Sequence, residues 1–387
     1  MSRVDELIAE LCPEGVPHSR LDDLAAFRRG LQLRDRDRFN GPYPVVTAGR
    51  AQLTTHGEFN YPSESVTVTS HGAYAGYVNY WPTPIWLANN VFLVEPVGGA
   101  LTRRYFYYIL KSSEPGLHAA AQGGGVPYIN ARDIGSIKVP VPPPEVQREI
   151  VRILDTFTEL EAELEAELEA RRRQYEHLSG ELLRVNDDTP RVKLGEAATI
   201  VRGASPRPIQ SFLTIEDSGI PWIKIGDVPA NGKYITSTAQ KVTDAGASKS
   251  RRVFPGDFVL SNSMSFGRPY ISKIEGCIHD GWLAISDFAA TFDPDYLYYL
   301  IRSKPVQAEF ASRAGSGTVR NLNSEIVKAI EVPVPSRSEQ EEIVAILDKF
   351  DALVNDLSVG LPAELAARRK QYEYYRNTLL TFKELEE

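Results

Sequence analysis

Two glycine-rich runs, QGGGVP (122–127) and AGSGTV (314–319), hold the groups best spaced to grip a small anion. Successive backbone N–H groups in such turns can converge on a phosphate, but a flexible turn ahead of the last strand is the better reading of the same composition. Other chemistry is sparse. There is no phosphate-binding P-loop, no GxSxG nucleophile elbow and no GxGxxG dinucleotide fingerprint. PPPE (142–145) does not supply the Asp/Asn/Ser-Pro-Pro-Tyr/Phe motif that an adenine methyltransferase needs. The two cysteines, Cys12 and Cys277, and the six histidines, His18, His56, His71, His118, His177 and His279, are scattered without metal-ligand spacing. A cytoplasmic, reducing setting suits such a chain, and no metal site is expected. Asp244 and Asp257 are carboxylates of the type a nuclease uses, but no spacing singles them out. Catalysis is not expected of this chain.

The elements that would position any ligand group come next. At 387 residues, 42% apolar and 24% charged, the chain has material for two or three soluble domains. Its opening, MSRVDELIAEL, reads as a short amphipathic helix and not as a signal peptide. The net charge is −8. The excess sits in 141–184, with 6 basic and 11 acidic side chains, and in 336–387, with 7 and 11. Residues 1–140 and 185–335 are nearly neutral, so a basic face for DNA is neither excluded nor demanded.

The chain is written twice. IKVPVPPPEVQREIVRILDTF (137–157) recurs as IEVPVPSRSEQEEIVAILDKF (330–350), and ARRRQYE (170–176) as ARRKQYE (367–373). The order is variable block, long segment, variable block, long segment. The long segments carry apolar residues at 3- and 4-residue steps, from Val146 to Leu182 and from Ile343 through Leu357 to Leu379. Each predicts a long helix, with Gly360 and Pro362 breaking the second near 358–363. The first contains ELEAELEAELEA (159–170), one tetrapeptide repeated three times from strong helix formers. A lone helix cannot bury such a stripe. The two are expected to pair with each other, antiparallel about a pseudo-two-fold axis, with docking on their own domains or pairing with a second chain as the alternatives. SVTVTS (65–70), AGYVNYW (75–81), NVFLVEP (90–96), IPWIKIGDV (220–228) and DFVLSNS (257–263) read as strands, and RYFYYILKS (104–112) and DYLYYLIRS (295–303) as helices with packing tyrosines. The fold class is α+β: two α/β domains in pseudo-two-fold repeat, 1–140 and 185–335, separated by helical segments 141–184 and 336–387 that pair as an antiparallel coiled coil.

Two divergent domains, each ended by VPVP, a glutamine and IV.ILD, and each followed by a helix closing in RR(R/K)QYE, resemble the specificity subunit of a type I restriction–modification system. The resemblance covers essentially the whole chain. It implies that each variable block is a target recognition domain reading one half of a bipartite DNA sequence. The helices would set the half-site spacing and dock two adenine-N6 methyltransferase subunits. It implies no cofactor in this chain: S-adenosylmethionine belongs to the methyltransferase, and ATP and Mg to restriction/translocase subunits. No membrane partner is implied. Each ELEA unit would add about 6 Å of helix and about 40° of rotation beyond a full turn. A base-pair step is about 3.4 Å and, at 10–10.5 bp per turn, about 35°. The repeat would then be a length setting, with helix filler as the bland alternative.

Under that resemblance, base reading calls for Arg or Lys on guanine, Asn or Gln on adenine, and hydroxyls as adaptable partners. The first block offers Arg28, Arg29, Arg34, Arg36 and Arg38, although Asp35 and Asp37 leave a self-paired loop open, and Ser70, His71 and Tyr74. The second offers Asn262, Ser263 and Arg268, with Arg202, Arg207, Lys224, Arg251 and Arg252 for phosphates. Spacer and docking candidates are Gln147, Ile150, Leu154, Phe157, Leu164, Leu168, Tyr175, Gln340, Ile343, Leu347, Phe350, Leu365 and Tyr372. The competing readings are a stand-alone two-domain DNA-binding protein and a coiled-coil protein scaffold.

Overall fold

The computed structural model describes residues 3–33, 40–49, 54–121, 125–184, 186, 188–228, 232–262, 266–314, 321–356 and 358–386. The chain forms two compact units: residues 1–164 with 365–387, and residues 165–364.

In the first unit, the alternating SVTVT run makes the strand Ser65–Thr69, buried on both faces. Among the described residues it lies inside a four-stranded sheet, between Val78–Trp81 and Val91–Pro96, with Ala25–Arg29 at the far edge. A smaller sheet orders Thr55–His56, Tyr43–Val46 and Trp86–Leu87, the last two parallel. The second unit repeats this plan. Phe258–Ser261 pairs with Trp282–Ser286 and Pro269–Ser272, and Trp282–Ser286 with Thr199–Arg202. In its second sheet Ile220–Ile223 runs parallel to Gly276–Ile278.

Each unit is closed by the same strand pair: His18–Arg20 against Lys138–Pro140, and Arg191–Lys193 against Glu331–Pro333. Each core holds one tyrosine-rich helix, Arg103–Ser112 or Pro294–Arg302. Tyr105, Tyr108, Tyr296 and Tyr298 are buried, so these rings pack and do not stack on a ligand.

The long helix Pro144–Arg184 is continuous over 41 residues and contributes to both units. Its first turns bury Val146, Ile150 and Leu154 in the first core. Beyond them, Phe157 meets Tyr375 and Tyr372, at ring distances of 5.3 and 6.4 Å, and Glu161 bonds Arg369 at 2.6 Å. The contact order reverses along the partner helix Leu361–Leu379, so this pair is antiparallel. In the second unit, Tyr175 donates to Asp351 at 3.3 Å. Self-pairing and docking on the home domain thus both occur, on successive stretches of one helix.

The other helical segment is two helices, Arg337–Asn355 and Leu361–Leu379. Ser336 and Glu339 form a capping box at the start of the first. A Cβ at Gly360 would lie 2.4 Å from the Ala352 carbonyl oxygen, so this turn packs on the end of the first helix at a separation only glycine permits. Pro362 sits in the first turn of the following helix, where its missing N–H costs nothing.

Candidate nucleic-acid interface

A matched pair of side chains fixes the loops around each prospective reading face. Ser70 and Asn262 each follow a central strand. The Ser70 hydroxyl donates to the Asn90 carbonyl at 2.6 Å, and its own carbonyl accepts from Ile129 N at 2.9 Å. Asn262 Nδ2 donates to the Asp280 carbonyl at 2.9 Å, its backbone N donates to Gly281 O, and its carbonyl accepts from Leu322 N. Both residues are buried, at 1% and 3% exposure. The expectation that they meet bases is therefore corrected: the Ser70 hydroxyl and Asn262 Nδ2 pin the turn that leads into a neighbouring strand of the sheet, Val91–Pro96 or Trp282–Ser286, while Asn262 Oδ1 is buried without a hydrogen-bond partner among the described residues.

In the second unit three candidates converge beside that bolt. Arg202 Nε donates to the Asp280 carbonyl at 3.0 Å. Arg207 approaches the Asp280 carboxylate at 3.5 Å and is 82% exposed. Lys224 lies across a cleft of about 780 Å³ floored by Trp222, Ile209 and Ile225. The Ser205 hydroxyl donates to Asp280 Oδ1 at 2.7 Å and holds that carboxyl below the usual carboxylate range, with Arg207 adding to the effect. His279 lines the same cleft. Its Nδ1 accepts from Gly281 N at 2.9 Å, which requires a neutral ring carrying its proton on Nε2. Burial pushes its pKa down, and Lys224 adds to this against the opposing pull of Asp280. Sequence reasoning missed His279, Asp280 and Trp222; the one signal was that HDGW follows a short strand at the place where ANNV does in the first repeat.

The remaining candidates are dispersed. Arg268 lies 5.4 Å over the Tyr270 ring. Arg251 and Arg252 are exposed on an edge strand, with Arg252 on Glu275 at 2.9 Å. In the first unit Arg28 approaches Glu95 at 3.5 Å and Arg29 covers the Phe92 ring at 4.9 Å. His71 stacks on Tyr128 at 6.3 Å, and the Tyr74 ring lies 6.5 Å from Tyr77. Arg34, Arg36, Arg38, Ser263 and Leu357 lie outside the described residues, as do most of the two glycine-rich runs. Asp257 is spent on a turn, accepting from Phe254 N at 2.8 Å. Among the described residues no cluster could hold a metal ion, and no helix is long and apolar enough to cross a membrane. Cys277 is buried, its thiol pushed up to about 11 by that burial, and is not a nucleophile.

The model of the type I restriction modification DNA specificity domain matches the chain twice, over residues 13–170 and 186–367. The chain belongs to that family. A type I restriction enzyme specificity subunit of Escherichia coli is 33% identical over 263 residues, 63% of each chain. A putative specificity subunit of Haemophilus influenzae is 29% identical over 375 residues, 89% of each. Among solved structures, the S subunit of a type I system from M. genitalium matches at TM-score 0.61 and 17% identity, over 94% of this chain and 96% of that one. A chain solved in work on complex assembly and conformational transition of the type I system matches at 0.64 and 16%, over 95% and 98%. Family members are specificity subunits, which recognise DNA and are not catalysts. The two α/β repeats and the long helix between them are the family's architecture.

The helix candidates of this family member sort into two sets. Gln147, Ile150 and Leu154, with Gln340, Ile343 and Leu347, are buried within their own units. Gln147 Oε1 accepts from Thr102 N at 2.9 Å while its Nε2 donates to the Ala100 and Pro142 carbonyls. Gln340 repeats this with Asp293 N, Thr291 O and Pro335 O. These six cannot face another subunit, which corrects that expectation. Phe157, Tyr175 and Tyr372 are half-buried where helices pair; Leu164 and Phe350 are half-buried, and Leu168 and Leu365 buried.

Proposed function

We propose that the chain is the DNA sequence-recognition subunit of a type I restriction–modification complex. Each unit reads one half of a bipartite, asymmetric target, the helices set the spacing of the halves, and they dock two adenine-N6 methyltransferase subunits. S-adenosylmethionine enters with those subunits, and ATP and Mg with restriction/translocase subunits. The observation that carries this reading is the double family match on a chain whose two units share their fastenings and differ in the groups placed on them. Ser70 and Asn262 hold equivalent turns, and Gln147 and Gln340 hold equivalent helices. The residues those turns present differ, as two readers of different half-sites require. The acidic helical segments favour a protein-docking spine over a DNA-contacting surface.

The test is co-expression with the methyltransferase encoded beside its gene, followed by single-molecule sequencing of modified adenines. A split motif, two short blocks around a fixed unspecified gap, is the expected result. A contiguous motif would defeat the two-reader account. A stable complex without methylation would point to DNA binding alone or to a missing subunit.

A further inference from the structure

The cleft of the second unit carries a more specific message, which rests on the reading just proposed. Lys224 and His279 occupy neighbouring places on one sheet. Each is the first residue beyond the registered parallel pair Ile223 and Ile278, so their backbones lie about 5 Å apart. Among the described residues the Lys224 ammonium has no hydrogen bond or ion pair, while its backbone N is fixed by Asp227 Oδ2 at 2.8 Å. The His279 ring has its Nδ1 occupied by Gly281 N–H, which leaves Nε2–H to donate. Arg207, on the same rim, adds a third donor group. The rim's carboxylate, Asp280, is engaged by Ser205 and Arg207. The amide of Asn262, the group suited to adenine, is buried beneath.

The first unit supplies an internal control. Its registered parallel pair is Val46 with Leu87, and the next residues are Thr47 and Ala88. The backbone plan is the same, with a hydroxyl and a methyl in place of two donors.

The geometry points to Lys224 and His279 as the specificity-determining pair of the second unit, reading a guanine in its half-site through the adjacent N7 and O6 acceptors. Guanine alone among the bases presents two neighbouring acceptors on its major-groove edge, which suits a site rich in donors and lacking a free amide.

The test uses the full chain in complex with its methyltransferase subunit, with methylated motifs mapped for wild type, Lys224→Thr, Lys224→Thr with His279→Ala, and Lys224→Arg. Lys224→Thr and the double variant place the other repeat's residues on the same backbone plan. They are expected to relax guanine preference at one position of one half-site by about 10- to 100-fold, with the other half and the gap unchanged. Lys224→Arg is expected to retain guanine. Lys224→Thr alone removes no hydrogen bond or ion pair among the described residues, so its result stands even where the double variant fails to assemble. The inference is overturned if the wild-type motif has no guanine in either half, if Lys224→Thr leaves the motif unaltered, or if it weakens methylation evenly across sequences, as a phosphate contact would. In each of those outcomes a split motif still supports two readers, whereas the absence of a split motif overturns both.

Discussion

His279 shows how one half-buried ring ties a recognition surface to solution conditions. Its neighbours are Trp222 and Trp282, at ring distances of 6.2 and 5.8 Å, with Asp280 and Lys224 as the charged groups beside it. Burial lowers its pKa below the ordinary 6.5, so below that value the unfolded chain binds a proton that the folded unit resists. Stability linked to this group is therefore complete above about pH 6.5 and is lost as pH falls through the depressed folded value. The melting temperature of the second unit should drop on acidification, and His279→Gln, which keeps an acceptor without titrating, should flatten that slope. An equal slope in both proteins would remove His279 as the cause. Gln340 gives a prediction independent of pH. Gln340→Leu keeps the volume but strips partners from one buried N–H and two carbonyls, which should cost about 2–4 kcal/mol in urea unfolding. The identity of Gln340 was legible in the repeat, but its role was not. A glutamine near a helix start looks like surface until Thr291, 49 residues upstream, closes over it. Ser70 and Asn262 misled for the same reason. A polar residue after a strand resembles a loop tip, and only the distant segments at Ile129 and Leu322 bury it.

At the scale of elements, periodicity carried most of the information. The SVTVT strand, both tyrosine-rich helices and the long helix lie where alternation and 3–4 spacing put them, because each pattern matches a burial geometry that needs no distant partner to be recognised. The ELEA segment is subtler. A four-residue step advances 400° around the helix, so successive leucines precess by about 40° and cannot share one seam. The structure follows this: Leu160 is 40% exposed, Leu164 half-buried and Leu168 7% exposed. The division between the two compact units falls between Leu164 and Glu165, inside the repeat. A change in repeat number therefore lengthens or shortens the helix where neither core anchors it. Deleting Glu163 to Ala166 should leave the melting temperature nearly unchanged and alter the unspecified gap in the methylated motif by one or two base pairs. An unaltered gap would reduce the repeat to helical filler.

For the whole molecule, the central puzzle is a DNA reader with a net charge of −8. Concentrating the acid in the helical segments resolves part of it, since a Debye length of about 8 Å at physiological salt confines that repulsion to nearby phosphates. Ion pairing adds a second constraint. Arg28, Arg207 and Arg252 each face a carboxylate, at 3.5, 3.5 and 2.9 Å, and all three are solvent-exposed enough for a phosphate to compete with that partner. Affinity should then be modest at physiological salt and depend steeply on it, because each phosphate neutralised contributes about −0.9 to the slope of log K against log salt. Arg251 and Arg252 are consecutive residues on an exposed edge strand, paired with Ile278 and Cys277 and outside the lining of the Lys224 cleft, and they make the test. Replacing both by Gln should reduce the magnitude of the slope measured for the assembled complex by about 2. It should weaken binding to every sequence by the same factor and leave the methylated motif intact. That outcome would divide the second unit into a cleft that selects and a strand that grips. A motif altered by the same double substitution would place base reading on the strand, and an unchanged slope would show that the duplex does not reach it.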